Sequence, residues 1–189
     1  MKKFYASLML VAVMALISNS AAAQINSNIG TVTLNAQLNE SLTVTVNSGA
    51  AVNFALAPNT AANAGSTTSS ITTAWVLKPG RTSVAVWAYF GSAGVALLHQ
   101  TAGNPTDIPS SAVGIKVNGA AAFSPLTVVS PFNAAASGLQ IGPSIGITGA
   151  NKNSNRTDTL AYNIDTTVVP QLASDTYIGT LNIQAQATP

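Results

Sequence analysis

The sequence predicts an all-β protein, a sandwich of short antiparallel strands. Apolar and polar residues alternate with period two in several stretches. The clearest is 175–187, where Tyr177, Leu181, Ile183, Ala185 and Ala187 share one parity and Thr176, Thr180, Asn182, Gln184 and Gln186 the other. These runs are short and punctuated by Gly, Pro and Asn, as in sandwiches. Beyond the N-terminal segment, no run keeps an apolar period of 3.6 residues.

That segment has its own character. Lys2 and Lys3 precede an apolar run from Leu8 to Ile17, and Ala21-Ala22-Ala23 follows. This is the order of a secretory signal peptide, and the run is too short to span a bilayer comfortably. We assign 1–23 to a signal peptide, 24–40 to an N-terminal extension and 41–189 to one β-sandwich domain. The expectation is export, with no membrane insertion of the mature chain.

Charge narrows the partners. The net charge of +2 comes from seven basic and five acidic residues, and Lys2 and Lys3 lie in the leader. Five basic residues then face five acidic ones, and the mature chain is neutral. No basic patch exists to displace counterions from a phosphate backbone, so nucleic acid is not an expected partner. There is no cysteine, so stability must come from packing even after export.

The elements follow in order. Val32, Leu34, Ala36, Leu38, Leu42, Val44 and Val46 alternate with polar residues, and Asn39-Glu40-Ser41 interrupts them. The spacing predicts strands over 31–38 and 41–47 joined by a bend. Whether the face of 31–38 is covered within its own chain or by another chain stays open at this point. A short strand is expected over 52–56, closed by Pro58, and a loop over 59–70. Lys78-Pro79-Gly80-Arg81 reads as a type II turn, and a hairpin around it would set Leu77 against Thr82, Trp75 against Val84, Thr73 against Val86 and Ile71 against Ala88. Its other face would carry Val76, Ala85, Trp87 and Tyr89, too apolar to be wholly solvated.

Val95–Leu98 is a brief apolar run before a loop over 100–111. Val113, Ile115 and Val117 form a strand expected to turn at Asn118-Gly119 into 120–123. Further short strands are expected at 126–129, 139–141, 145–147 and 157–164, the last after a polar loop over 149–156. A final continuous strand is expected over 175–187.

Chemistry is sparse. Gly142-Pro143-Ser144-Ile145-Gly146 fits the nucleophile-elbow pattern, but the only histidine, His99, precedes it and no helix pattern follows, so we expect a glycine-rich turn and no enzyme activity. The acidic residues are scattered, with no spacing for a metal, and no cofactor motif occurs. Asp158 and Asp165 are expected to be solvated at strand ends, and His99 to lie in a loop or at a strand end. Trp87 and Tyr89 remain as candidate surface-binding aromatics, able to stack on a sugar ring or to pack beneath a loop or second layer.

The segment from Val32 to Val46, VTLNAQLNESLTVTV, resembles the mature N-terminus of major subunits of alternate chaperone-usher fimbriae. The ending from Ala173 to Ile183, ASDTYIGTLNI, is similar to the terminal strand of the same pilins and to that of spore coat protein U-like secreted domains. Asp175 stands where those pilins carry Gly, and Asn39-Glu40 replaces a Pro-containing kink. The resemblance implies an immunoglobulin-like sandwich lacking one strand, which the extension of the next subunit supplies. On that basis Val32, Leu34, Ala36 and Leu38 are the candidate donor-strand plugs, and Tyr177, Leu181 and Ile183 the candidate acceptor groove. The implied partners are further copies of the chain, with a periplasmic chaperone and an usher, and the implied destination is a fimbrium on the cell surface. The alternative is a self-contained secreted sandwich acting as a carbohydrate-binding or adhesive module.

Overall fold

The computed structural model describes residues 27–189, so the expected signal peptide over 1–23, and residues 24–26, lie outside the described residues. The chain divides into two units, 1–37 and 38–189. In the first, residues 27–37 form no helix or strand. The strand expected over 31–38 is therefore not formed, and Val32, Leu34, Ala36 and Leu38 are all exposed, Val32 at 84% and Leu34 at 89%. Alternation supplies a face, but a strand also needs a ladder partner.

The second unit contains β1 (Ser41–Ser48), β2 (Asn63–Ala64), β3 (Ser69–Val76), β4 (Ser83–Tyr89), β5 (Leu98–His99), β6 (Val113–Val117), β7 (Ser124–Pro125), β8 (Val128–Ser130), β9 (Asn133–Gln140), β10 (Ile145–Gly146), β11 (Asn153–Ile164), β12 (Tyr177–Ile178) and β13 (Asn182–Thr188). Strands hold 44% of the described residues and helix 4%, so the protein is all-β. One sheet runs β1-β3-β11-β6-β7, with β2 on β11. In the other, β13 pairs along the whole of β4, while β9 and β10 share the opposite side of β4 and β8 follows β9. All these pairings are antiparallel. A separate two-stranded ladder joins β5 and β12.

The sheets face each other across one interior. Ile71, Ile115, Leu160 and Ile164 from the first meet Val86 and Ala88 from the second, all essentially inaccessible to solvent. Taken by position, β1, β3, β11 and β6 occupy the A-B-E-D order of an immunoglobulin-type sheet, and β4 and β13 the C and F positions of its partner. Among the described residues, no strand occupies the place beside β13 where a G strand would lie.

The expected hairpin around Lys78–Arg81 is corrected. The turn forms, but β3 and β4 do not pair with each other and enter opposite sheets. The inward set is the expected one, since Ile71, Thr73, Trp75, Val84, Val86 and Ala88 are all buried. A hairpin and an arch between sheets present the same parity, so alternation cannot separate them. The turn at Asn118-Gly119 does form, with positive φ at both residues (51° and 73°) and an Ala120 N–H donated to Val117 O at 3.0 Å. Its return strand is β7 rather than 120–123. The expected strand over 52–56 is an extended run with one bridge, Phe54 to Gly65, whose Val52, Phe54 and Leu56 are half-buried.

The final strand is broken in two. Gly179 passes so close to Ala96 that a Cβ there would collide with the Ala96 carbonyl, and the chain leaves the β5 ladder before joining β4. The parity survives the break, with Tyr177, Leu181, Ile183, Ala185 and Ala187 each more covered than their neighbours in 177–187.

Asp158 is also corrected, being fully buried within β11 on the parity of Leu160 and Tyr162. Arg156 Nε donates to its Oδ2 at 2.7 Å and Asn118 Nδ2 to its Oδ1 at 2.8 Å. The remaining Arg156 nitrogens donate to Ile141 O and Pro143 O, at 2.7 and 2.8 Å. One guanidinium thus ties β11 to the chain leaving β9 in the facing sheet. Arg156→Met strands the buried carboxylate and should cost about 3 kcal/mol or more in chemical denaturation. Conversely, the fully buried Thr73 hydroxyl has no hydrogen-bond partner, so Thr73→Val should raise the denaturation midpoint, with a gain of about 1 kcal/mol.

Candidate functional site

The opening in the sandwich is where coverage fails. Inward residues of β3 and β4 are buried, whereas those of β13, Ile183, Ala185 and Ala187, are only half-buried. The facing edge strand behaves likewise: Leu42 and Val44 of β1 are half-buried and Val46 is 44% exposed. Among the described residues β1 pairs only with β3 and β13 only with β4, so each strand has one backbone edge without a described partner strand.

A trough lies along this side. One cavity, about 260 Å³, is lined by Val46, Val52, Phe54, Phe90, Leu181 and Ile183. A second, about 710 Å³, is lined by Phe54, Leu56, Leu97, Leu172 and Tyr177. They share Val52, Phe54, Leu97, Ile164 and Gly179, and so adjoin along a common wall. Of the candidate groove residues, Leu181 and Ile183 line the smaller cavity and Tyr177 the larger. The opposite wall, Val52, Phe54 and Leu56, was not anticipated as part of a site. Its signal was the alternation ahead of Pro58.

The larger cavity ends in a polar latch. Asp175 accepts hydrogen bonds from Asn104 Nδ2 and Thr101 Oγ1, both at 2.8 Å, and from the Thr101 and Thr176 backbone N–H groups. Asn104 Nδ2 also donates to the Tyr177 hydroxyl at 3.1 Å, which donates in turn to Ala173 O at 2.8 Å. The Asn104 amide foremost, with the Thr101 and Thr176 donors, holds the Asp175 carboxyl well below its ordinary 3.8 against the opposing pull of desolvation. Beside it, His99 Nδ1 and Asp107 Oδ1 lie 2.8 Å apart, and the His99 backbone N–H is the chief cause of a lowered Asp107 pKa.

At the other end, Arg81 Nε donates to Glu40 Oε1 at 2.8 Å and Arg81 Nη1 to Ala187 O at 3.3 Å, joining the start of β1 to the end of β13. The Arg81 hydrogen bond is the main cause of a lowered Glu40 pKa.

Trp87 and Tyr89 lie on the outer face of β4, both half-buried. Tyr89 stacks on Phe132 at 5.8 Å between centroids and donates its hydroxyl to Gln184 Oε1 at 2.8 Å. Ser144 sits between β9 and β10, its hydroxyl taking a hydrogen bond from Gln140 Nε2 at 3.1 Å, and β10 rather than a helix follows it. No group of three metal-ligating side chains occurs among the described residues, and none of their helices is long and apolar enough to cross a membrane.

The latch carries a pH dependence of definite sign. A carboxyl with a depressed folded pKa stabilises fully above the ordinary carboxylate value and loses that contribution as pH falls through the depressed one. Asp175→Asn should therefore melt lower than the parent at pH 7, and the gap should narrow in a series taken below pH 3.8. A gap unchanged across the series would remove Asp175 from this role. No family model matches the chain, and neither a curated protein nor a solved structure is similar to it.

Proposed function

We infer that the chain is a structural subunit that assembles by strand addition, an extended segment of one molecule lying along β13 of the next. The carrying observation is the coincidence of a β13 edge without a described partner strand and an apolar trough at its start, beside Leu181 and Ile183. A strand added there gains main-chain hydrogen bonds from the edge and covers Leu181, Ile183 and Ala185 with alternate side chains. Residues 24–38 are the segment proposed to fill it, because Val32, Leu34, Ala36 and Leu38 alternate with polar residues and are exposed. An unfilled trough would invite wrong partners in a freshly exported subunit, so a chaperone covering the β13 edge and an usher exchanging it for the next subunit fit the same reading. The fimbrial role and the cell-surface location belong to this proposal.

Burial of apolar side chains stabilises by about 25 cal/mol per Å², so four plugs and a strand's length of hydrogen bonds would make a linkage that survives mild denaturant. The chain lacking its signal peptide should run as a ladder of oligomers, and deletion of 24–38 should leave single molecules that still fold. Ile183→Asp in the trough should likewise stop assembly while the deleted chain's fold persists. A chain that remains monomeric at high concentration with its arm intact would defeat the reading.

A further inference from the structure

We propose that the outer face of the sheet formed by β13, β4 and β9 binds a neutral, hydroxyl-rich ligand, a glycan chain, centred on Trp87. This inference does not depend on the trough or on residues 24–38.

The first support is electrostatic. None of β4, β8, β9, β10 or β13 contains an Asp, Glu, Lys, Arg or His, whereas the facing sheet carries Lys116, Arg156 and Asp158 within its strands. A face without charge has nothing to recruit a phosphate, a nucleic acid or an acidic polysaccharide. The ligand that matches it is uncharged.

The second support is the arrangement of side chains. Register places Gln184 of β13 and Gln140 of β9 opposite Trp87 from its two sides, so the indole is flanked by an amide on each neighbouring strand. On β13, Asn182 stands opposite Tyr89 and Gln186 opposite Ala85, giving a row of three exposed amides parallel to the two aromatic rings. Side chains on one face of a strand recur about every 6.8 Å, and the neighbouring strand lies about 4.8 Å away. Gln140 is committed to Gly142 O and Ser144, and Gln184 accepts from Tyr89. The Trp87 indole N–H and the Asn182 and Gln186 amides, by contrast, make no side-chain hydrogen bond among the described residues.

The chemistry of a pyranose fits this pattern. Its C–H face can lie on an aromatic ring, whose π surface is electron-rich, and its rim hydroxyls both donate and accept, as an amide does. A chain of such rings laid along β4 would place successive faces over Trp87 and the exposed part of Tyr89, with hydroxyls toward the amide row. A second copy of this protein is the competing occupant, since uncharged amide and alanine surfaces also pack on each other.

The test uses the chain lacking its signal peptide, with the arm intact. Soluble β-linked glucose oligomers, N-acetylglucosamine oligomers and mannan serve as neutral probes and polygalacturonate as the anionic one, in fluorescence titration and affinity electrophoresis at low and high salt. At least one neutral probe should bind with little change on adding salt. Trp87→Ala should weaken binding roughly tenfold or more, as removal of a central aromatic does, and Gln186→Leu should weaken it with an unchanged unfolding midpoint. Should Trp87→Ala fail to fold, Gln186→Leu decides alone. Failure of every neutral probe, retention of polygalacturonate alone, or binding indifferent to both substitutions would overturn the proposal. So would a change in oligomer size with Trp87→Ala or Gln186→Leu and none in glycan retention, which would assign the face to contacts between copies. Loss of oligomers on removing 24–38 with glycan binding intact, or the reverse, separates this inference from the assembly reading.

Discussion

The outer edge of β13 is the constraint around which this sandwich is arranged. Among the described residues no strand pairs with it there, and its inward side chains are only half-buried. Val86, directly opposite Ala185 on the neighbouring strand, and Ile71 on the facing sheet are completely buried, so the shortfall is local to the edge. A backbone edge that is unpaired and flanked by apolar side chains is both a hazard and a docking surface. Here it lies beside the trough walled by Val52, Phe54 and Leu56.

Parity was the legible quantity in this sequence. Alternation placed Ile71, Trp75, Val84, Val86, Leu160, Tyr162 and Ile164 inside, and it put Tyr177, Leu181 and Ile183 on one parity, while a groove beside them was implied by the resemblance alone. Pairing was not legible. The chain around Pro79 alternates identically whether its two arms form a ladder or face each other across a core, and only the competition from β1, β11 and β13 for those edges decides. The break at Gly179 depends on a close approach to Ala96, a residue far away in sequence. For Asp158, residue type and parity point in opposite directions, and parity prevails. Its position in step with Leu160 marks it as interior, and Arg156, two residues earlier, is the partner that makes this tolerable. Residues 31–38 alternate as cleanly as any strand in the chain, yet form none.

The two sheets divide the labour of polarity. The β11 sheet carries the few charges found inside strands and uses Arg156 and Asp158 as a tie to the chain leaving β9. The β4 sheet carries no charge and exposes amides, threonine and two half-buried aromatic rings. With no cysteine available, such ties and the shared apolar interior do the work that cross-links perform in many exported domains. The latch around Asp175 is of the same kind, joining the segment after β5 to the segment before β12 with neutral donors alone.

The way β1 enters the sandwich has a mechanical consequence. Tension on the preceding segment arrives at Glu40, held by Arg81, and then at Ser41, the first of a register of paired positions running from Ser41 opposite Val76 to Ser48 opposite Ser70. A pull along that strand's axis strains its cross-strand bonds together in shear instead of opening them one after another. Arg81 also grips the Ala187 carbonyl, so part of the load passes directly to the last strand of the facing sheet. The molecule is thus harnessed at the point where the proposed assembly would load it.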